Sequence, residues 1–262
     1  IITNDINIVS KENSVFSGIF TPQGKYLYEF FVIKSDDGYL LDSSEEFVDE
    51  LKNFLEKYKL NSDVKIKDIS GKYVVGVISN EKFEEIKKEE NKSTQTIIFR
   101  SSPFFEDPRS KKLGSRVLSN LEKLYLTIKK LSLKIEDDKN YLNLAHEAGV
   151  PVKNLKKLQN NLFGLEANFE QLSAIDFKKG CYIGQENTAR MKLKNKLRKK
   201  LLPLISQENL EVGSDITLNG NLIGKLLIAN PYPFGLINIF DKKESDLRNK
   251  ENLVGKQKAK II

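Results

Sequence analysis

The chain has 262 residues, of which 39% are hydrophobic and 30% charged, and its formal net charge is +7. This length suffices for two or three domains, and 15 Phe and 9 Tyr can fill real hydrophobic cores. No run approaches the roughly 18 apolar residues that a membrane-spanning helix needs, so we predict no membrane partner. The single Cys excludes an internal disulfide and fits a reducing compartment. With the single His it cannot build a structural zinc site alone, so we predict no metal site.

Two strands open the predicted fold. Val15–Phe20 and residues 26–33 are rich in β-branched and aromatic side chains, and turn residues lie between them. Ser43 and Glu46 have the spacing of a capping box. They predict a helix that follows Ser43 and carries its apolar side chains on one face.

A small α+β unit is predicted next. Residues 73–78 and Thr96–Phe99 have the composition of strands, and Asn80 is a candidate cap for a short helix between them. The order strand, helix, strand, helix, strand over residues 39–99 predicts a ferredoxin-like unit inserted in a larger domain.

Two helices are predicted in the middle of the chain. Residues 138–148 are followed by Gly149 and Pro151, which are typical of a helix end. Residues 153–161 are charged with spaced Leu residues, which predicts a solvated helix rather than a binding element.

The pattern changes at Arg190, where cations occupy alternate positions and predict a strand with one basic face. The residues concerned are Arg190, Lys192, Lys194, Lys196 and Arg198. Two interpretations stay open. The face could contact RNA phosphates weakly, or the lysines could protect a sheet edge from aggregation.

Short strands are predicted from residue 201 to the end of the chain. Residues 216–218 and 222–228 are separated by Asn219 and Gly220, a strong signal for a type I′ hairpin. Together with residues 236–239 they predict a small antiparallel barrel of about sixty residues.

The only cysteine lies in the most basic stretch of the chain. Nine basic residues and one acidic residue lie between Lys178 and Lys200, and residues 179–186 are Lys-Gly-Cys-Tyr-Ile-Gly-Gln-Glu. Gly180 and Gly184 predict a tight turn with positive φ or a close approach to a ligand. The lysines beside Cys181 favour the thiolate form. The alternative is a small buried cysteine beside a turn.

The motif from Lys179 to Glu186 resembles the signature of the folate-binding YgfZ family, which is related to the T protein (aminomethyltransferase) of the glycine cleavage system. Further matches follow the family order: Thr3-Asn4-Asp5, Thr21-Pro22-Gln23-Gly24-Lys25, Asp107-Pro108-Arg109, Leu113-Gly114-Ser115-Arg116, Glu147-Ala148-Gly149-Val150-Pro151 and Glu166-Ala167-Asn168. The resemblance implies a multi-domain α+β fold of the T-protein type. We expect a central folate-binding domain at residues 1–38 and 100–197, the ferredoxin-like unit at 39–99 and the barrel at 198–262.

The chain departs from the family pattern at several positions. Tyr28 and Glu29 occupy the positions of an Asp pair that the T protein uses in aminomethyl transfer, and Ala145 replaces a usual Arg. The chain begins without Met inside what resembles the first family segment, so we expect a strand and a helix to precede Ile1 in the full protein. The loss of the Asp pair argues against aminomethyl transfer.

The resemblance implies a folate site in a central cavity. Its expected ligand-binding residues are Asp5, Glu147, Gly180, Tyr182, Gly184, Gln185, Glu186 and Arg190. The Glu147 carboxylate suits the donor–donor edge of a pterin, and the anionic glutamate tail of folate favours nearby Lys or Arg. Cys181, assisted by Lys179, is the expected functional thiol, either in transient iron–sulfur contact or as a redox-sensitive group.

Three functions are compatible with these features. The favoured one is a tetrahydrofolate-binding factor, more auxiliary than catalytic, that supports iron–sulfur protein maintenance and tRNA modification. Its partners would be folate and iron–sulfur enzymes or assembly factors in the cytoplasm, meaning the bacterial cytosol or, in a eukaryote, the mitochondrial matrix. The second is an aminomethyltransferase that passes a one-carbon unit to tetrahydrofolate. The third is a basic module that binds tRNA or another anion.

Overall fold

The computed structural model describes residues 1–194, 197–240, 244–248 and 250–262. The strands of this part are β1 (Val15–Phe20), β2 (Tyr26–Ser35), β3 (Gly38–Ser43), β4 (Val74–Ile78), β5 (Thr96–Phe99), β6 (Ser102–Glu106), β7 (Ser115–Ser119), β8 (Lys199–Ile205), β9 (Asp215–Leu218), β10 (Asn221–Ile228), β11 (Phe234–Asn238), β12 (Glu251–Val254) and β13 (Gln257–Ile261). The α-helices are α1 (Val48–Tyr58), α2 (Asn80–Glu89), α3 (Leu121–Lys130), α4 (Lys139–Glu147), α5 (Gln185–Leu193) and α6 (Glu244–Leu247).

The first sheet consists of β1, β2 and β3 in that order, all antiparallel. Every residue of β1 is buried, and the register places Val15 opposite Val32 and Ile19 opposite Tyr28. Because both faces of this hairpin are covered, its two strands are nearly continuous apolar runs. The two strands predicted at the start of the chain are confirmed, and β2 extends to Ser35.

The second sheet has the order β4, β7, β6, β5. On one face, a small core that includes Phe83 of α2, Phe104 of β6 and Leu131 after α3 joins the sheet to its helices. The opposite face contributes Phe105 to the main core. The Phe105 ring centroid lies 5.5 Å from that of Phe31 on β2, so the two sheets meet at this contact.

The grouping of strands predicted for residues 39–99 is wrong. β3 pairs with β2 rather than with β4 or β5, and the second sheet takes its inner strands β6 and β7 from beyond residue 99. The reason is local, because Gly38, with φ of +146°, closes a short connection after β2. Strands joined by a short connection usually pair with each other. The limits of the three expected domains stay a prediction.

The predicted capping box does not form. Ser43 is the last residue of β3, and its hydroxyl donates to the backbone carbonyl of Glu29. The Glu46 carboxylate instead accepts from the backbone N–H groups of Leu155 and Lys156. Glu46 therefore ties the start of α1 to a distant segment of the chain rather than completing a local cap.

Two further helix predictions are corrected, whereas α4 agrees with its prediction. Ser79, not Asn80, accepts the capping hydrogen bond of α2. In residues 153–161 the structure has only a single 3-10 turn, Leu155–Lys157. Leu155 and Leu158 are buried in the main core, so this segment is held by packing and is not a solvated helix.

The C-terminal strands form a closed antiparallel barrel in the order β10, β11, β8, β13, β12, β9, which confirms the barrel prediction. Asn219 and Gly220 have φ of 53° and 78°, as a type I′ turn between β9 and β10 requires. The barrel has a separate core that includes Leu204, Ile216 and Ile237.

The basic strand predicted from Arg190 is wrong. Residues up to Leu193 belong to α5, and β8 begins only at Lys199. Asn195 and Lys196, which the prediction included, lie outside the described residues. Successive residues of an α-helix are about 100° apart, so alternate cations do not share one face. The RNA-binding interpretation loses its structural basis here. Within the described ranges, no helix has the length and apolar character needed to cross a membrane.

Candidate functional site

A cavity of ≈ 1310 Å³ opens between the two sheets and the helices α3 and α4. Its polar wall is formed by side chains from four strands or loops and one helix: Glu29 of β2, Asp42 of β3, Arg109 after β6, Arg116 of β7 and Tyr141 of α4. Phe31 lines the same wall, because residues two apart on a strand point to the same face. Distant segments of the sequence thus supply one continuous surface.

Two ion pairs between arginine and aspartate side chains organise this wall. Arg109 donates through Nε and Nη2 to the two carboxylate oxygens of Asp107, at 3.0 and 2.7 Å. Arg116 donates through Nε and Nη2 to a single oxygen of Asp42, Oδ2, at 3.1 and 2.7 Å. Both guanidinium groups also reach the hydroxyl of Tyr141, at 2.9 and 3.3 Å. The bidentate pair of Arg109 and Asp107 fixes the orientation of the guanidinium as well as its charge.

Phe31 lies between the two guanidinium groups. Its ring centroid is 4.7 Å from the guanidinium carbon of Arg109 and 4.6 Å from that of Arg116. Arg109 also lies over the ring of Phe16, at 5.2 Å. These cation–π contacts stabilise buried cations that have partly left water, and they hold the aromatic wall of the cavity in place.

Glu29 is a buried carboxyl group of the cavity wall, and its pKa is raised. It is buried, and the Tyr26 hydroxyl donates to it at 3.1 Å. Desolvation raises the pKa of Glu29 to about 7, although the positive charge of Arg109 and the Tyr26 hydrogen bond oppose the shift. Desolvation also works against the charge of Arg109, but Asp107 outweighs it and raises the pKa of that guanidinium. Glu29 therefore exchanges a proton near neutral pH while Arg109 stays charged.

Glu29 differs in its ion pairing from the two Asp carboxylates that hold the arginines of the wall. Each Asp carboxylate is paired with one guanidinium, Asp107 with Arg109 and Asp42 with Arg116. Glu29 has no such ion pair in the described part of the chain. The wall thus offers one carboxyl group that can accept hydrogen bonds from a ligand or hold a proton.

The cysteine loop lies apart from this cavity. Cys181 is exposed, and the described lining residues of the cavity do not include Cys181 or Lys179. The Lys179 ammonium donates to the Ile2 carbonyl at 2.7 Å and lies 5.4 Å from the ring centroid of Tyr182. Desolvation lowers the pKa of Lys179, although Asp5 opposes this effect. The lysine side chain thus anchors the cysteine loop to the first residues of the chain.

The two glycines of the motif have different roles. Gly184 has φ of +83°, and a Cβ there would lie 2.5 Å from the Thr21 carbonyl oxygen, so the predicted requirement for glycine holds at this position. Gly180 has no positive φ within the left-handed region, and a Cβ there would have no neighbour within 4 Å. The prediction of a positive φ is therefore wrong for Gly180, whereas its predicted close approach to a ligand stays a prediction.

The other residues of the motif form packing and surface contacts. Tyr182 is buried with its ring in edge contact with Phe20, at 6.3 Å, and desolvation raises its pKa to about 12. Gln185 begins α5. Glu186 and Arg190 form an exposed ion pair with each other at 2.6 Å.

Asp5 and Glu147 also lie outside the described cavity lining. Asp5 accepts hydrogen bonds from the backbone and side-chain N–H groups of Asn7, and its charge acts on Lys179 of the cysteine loop. Glu147 is exposed at the end of α4 and accepts from the Asn143 amide at 2.9 Å. The structure brings Asp5 and the cysteine loop together, but it does not bring either of them or Glu147 into the cavity.

The sequence reasoning did not assign Asp42, Arg109, Arg116 or Tyr141 to a site. Arg109 and Arg116 lie in segments that match the family pattern, but nothing in their spacing shows that they share a wall. The clearest available signal is Glu29, a lone carboxyl among the otherwise apolar and aromatic residues of the predicted strand 26–33. A carboxyl in such a strand is expected to have a partner or a function.

The fold is that of a protein of the glycine cleavage T-protein type. The aminomethyltransferase T of the glycine cleavage system from Bartonella henselae matches with a TM-score of 0.71 over 100% of this chain and 77% of that chain, at 14% identity. No family model matches the sequence.

Curated relatives of the chain are iron–sulfur cluster assembly factors by name. The chain is 30% identical over 218 residues to the mitochondrial iron–sulfur cluster assembly factor IBA57 homolog of Mycosarcoma maydis, covering 78% of this chain and 51% of the relative. The homolog of Dictyostelium discoideum is 26% identical, with coverages of 78% and 56%. IBA57 of Mus musculus is 24% identical, with coverages of 73% and 53%. Together with the T-protein fold, these relatives support the resemblance to the YgfZ and T-protein family, and the chain spans about half the length of these relatives.

Proposed function

We propose that this chain is part of an iron–sulfur cluster assembly factor and binds tetrahydrofolate, or a one-carbon derivative of it, in the cavity between the sheets. The relatives carry the assembly role in their names, and the structural neighbour is a T protein. The observation that carries the ligand proposal is Glu29, a buried carboxyl without an ion pair in an aromatic cavity.

The chemistry of the cavity fits a reduced folate. Ligand pockets for drug-sized molecules measure roughly 300–1,000 Å³, so a volume of ≈ 1310 Å³ has room for a pterin and its side chain. The pterin presents neighbouring N–H donors along one edge, and the Glu29 carboxylate is the acceptor that matches them. Lys111 and Lys112 line the same cavity near its exposed rim, where they suit the anionic glutamate tail.

The cysteine motif is proposed to serve a partner rather than the pterin. Cys181 is exposed, so its thiol is accessible to an iron–sulfur protein or a transient cluster, with Lys179 beside it. The assignment of Asp5, Gly180, Tyr182, Gly184, Gln185, Glu186 and Arg190 to ligand binding stays a prediction, as does a role in tRNA modification. The relatives are mitochondrial proteins by name, which supports the mitochondrial matrix over the bacterial cytosol as the proposed location.

A second candidate function is aminomethyl transfer to tetrahydrofolate. The T-protein fold favours it, and Glu29 is a carboxyl at one of the positions where the T protein has its Asp pair. The other position is Tyr28, which has no carboxyl to offer. We therefore rank this function second.

Binding measurements on two matched variants test the ligand proposal. Isothermal titration with tetrahydrofolate under anaerobic conditions should show binding to the wild type. Glu29→Gln should weaken it by about 1–3 kcal/mol, because a ligand donor loses its charged acceptor. Glu147→Gln, at the carboxyl first expected to hold the pterin, is the control and should change little. Wild-type affinity in Glu29→Gln combined with a loss in Glu147→Gln would return the pterin to Glu147 and contradict the assignment to this cavity wall.

A further inference from the structure

The hydroxyl group of Tyr141 accepts hydrogen bonds from two arginines. It receives one N–H from Arg109 at 2.9 Å and one from Arg116 at 3.3 Å. A guanidinium group has donors only, so the phenolic oxygen must be the acceptor in both contacts. Its own hydrogen then points away from both arginines.

No hydrogen bond in the described part of the chain uses Tyr141 as a donor, and its side chain lines the cavity. The two arginines are also fixed, since each donates two hydrogen bonds to the carboxylate of an Asp. We propose that Tyr141 is a positioning residue that donates a hydrogen bond to a carbonyl oxygen of the ligand in this cavity. The inference rests on the proposed folate function and adds a second polar contact to it.

The ligand chemistry that fits is a ring amide, in which N–H donors and a carbonyl oxygen lie next to each other. The pterin ring of folate has this arrangement along one edge. The Tyr141 hydroxyl accepts a hydrogen bond from Arg109, and the positive charge of Arg109 acts on the Glu29 carboxyl. Glu29 and Tyr141 therefore belong to one wall. Glu29 would accept from the ring N–H groups, and Tyr141 would donate to the ring carbonyl.

The two guanidinium groups strengthen this donor. Hydrogen bonds accepted from cations draw electron density from the phenolic oxygen and polarise its O–H bond. They also occupy the oxygen, so Tyr141 has no capacity left to accept a hydrogen bond from a ligand amino group. The position thus discriminates between a carbonyl and an amino group at the same place on a ring.

Two ligands and two variants test this inference. The ligands are tetrahydrofolate and its 4-amino counterpart, in which an amino group replaces the ring carbonyl oxygen. The variants are Tyr141→Phe and the control Tyr125→Phe, because Tyr125 also lines the cavity and its hydroxyl makes no hydrogen bond within the described residues. Isothermal titration gives the ratio of the two affinities for each protein.

Tyr141→Phe should weaken tetrahydrofolate binding about tenfold, a factor that corresponds to 1.4 kcal/mol, and should leave the 4-amino ligand unchanged or bound more tightly. Tyr125→Phe should leave the ratio at its wild-type value. Equal losses for both ligands in Tyr141→Phe, or no loss for either, would overturn the inference. If the wild type does not bind tetrahydrofolate at all, the proposed function itself fails, which is a different result from wild-type binding without dependence on Tyr141.

Isotope-edited infrared spectroscopy adds a readout that a structural role would not move. The stretch of the labelled ring carbonyl should lie at lower frequency in the wild-type complex than in the Tyr141→Phe complex. If that variant does not fold, the wild-type complex alone decides the question. A carbonyl frequency equal to that of the ligand in an apolar solvent would show that no donor reaches it and would overturn the inference.

Discussion

Gly24 and Gly184 face each other where the turn between β1 and β2 meets the cysteine loop. A Cβ on Gly184 would lie 2.9 Å from the Cα of Gly24, and a Cβ on Gly24 would lie 3.2 Å from the carbonyl oxygen of Gly184. Both residues have positive φ, at 82° and 83°. Two segments 160 positions apart in the sequence are therefore packed backbone to backbone, and this contact fixes the start of α5.

Replacement of Gly184 should be costly. In Gly184→Ala we expect the free energy of unfolding to fall by more than about 2 kcal/mol, because the new methyl group meets the Thr21 carbonyl and the backbone is left-handed. Urea denaturation measures this change. Gly180→Ala is the matched control and should stay within about 0.5 kcal/mol of the wild type, since its Cβ has open space. Similar losses in both variants would mean that the loop is held in some other way.

Glu29 makes a pH-dependent contribution to stability whose sign follows from its raised pKa. The folded carboxyl has a pKa of about 7, against 4.5 for an ordinary Glu side chain. The contribution of Glu29 to the free energy of unfolding is therefore largest below pH 4.5, and it is lost as the pH rises through 7. At full ionisation the loss is on the order of 3 kcal/mol.

Glu29→Gln isolates this effect, because Gln resembles the protonated carboxyl and does not titrate. The free energy of unfolding of the wild type, measured relative to Glu29→Gln, should decrease between pH 5 and pH 8. His146 acts in the opposite direction, since burial lowers its pKa and its contribution is lost as the pH falls below about 6.5. It is present in both proteins and cancels from the difference. A difference that does not vary with pH would contradict the raised pKa.

Local patterns in the sequence predicted the hairpin of β1 and β2, helix α4 and the barrel. Each depends on neighbouring residues, such as Asn219 and Gly220 at a type I′ turn. The grouping of β3 with β4 and β5 failed because strand composition does not say which strands pair. The strand predicted from the alternating cations was wrong because its first residues belong to α5, which begins at Gln185.

The cavity wall could be predicted from local sequence patterns even less than the strand pairing. The Asp107–Arg109 pair is local, but Asp42 and Arg116 lie 74 positions apart and meet only through the packing of the two sheets. Glu29 can be recognised as the carboxyl group without an ion pair in the described part of the chain only when these two pairs are known. The motif around Cys181 indicated the family correctly, whereas the position of the cavity depended on long-range pairing that one sequence does not encode in any short pattern.

The assay of aminomethyl transfer separates the two ranked functions. With tetrahydrofolate and an aminomethylated lipoyl carrier, we expect no release of ammonia above the background. Tyr28 packs against Phe47 and Phe54, with ring centroids 5.6 and 5.7 Å away, and it cannot replace a carboxylate. An authentic T protein assayed in parallel is the positive control. Turnover comparable to that control would make aminomethyl transfer the preferred function.

The last prediction separates a working thiol from an inert one. Cys181 is exposed, and Cys181→Ser changes one atom, so its free energy of unfolding should stay within about 0.5 kcal/mol of the wild type. Because Cys181 lies outside the cavity lining, the variant should also bind tetrahydrofolate as the wild type does. In cells that lack the native protein, however, it should fail to restore the activity of iron–sulfur enzymes. Lys179→Ala should give a weaker defect, because it removes a cation near the thiol together with the anchor to Ile2. Full restoration by Cys181→Ser would leave the cysteine without a function and would move the whole activity to the folate cavity, where Glu29→Gln should then be the variant that fails.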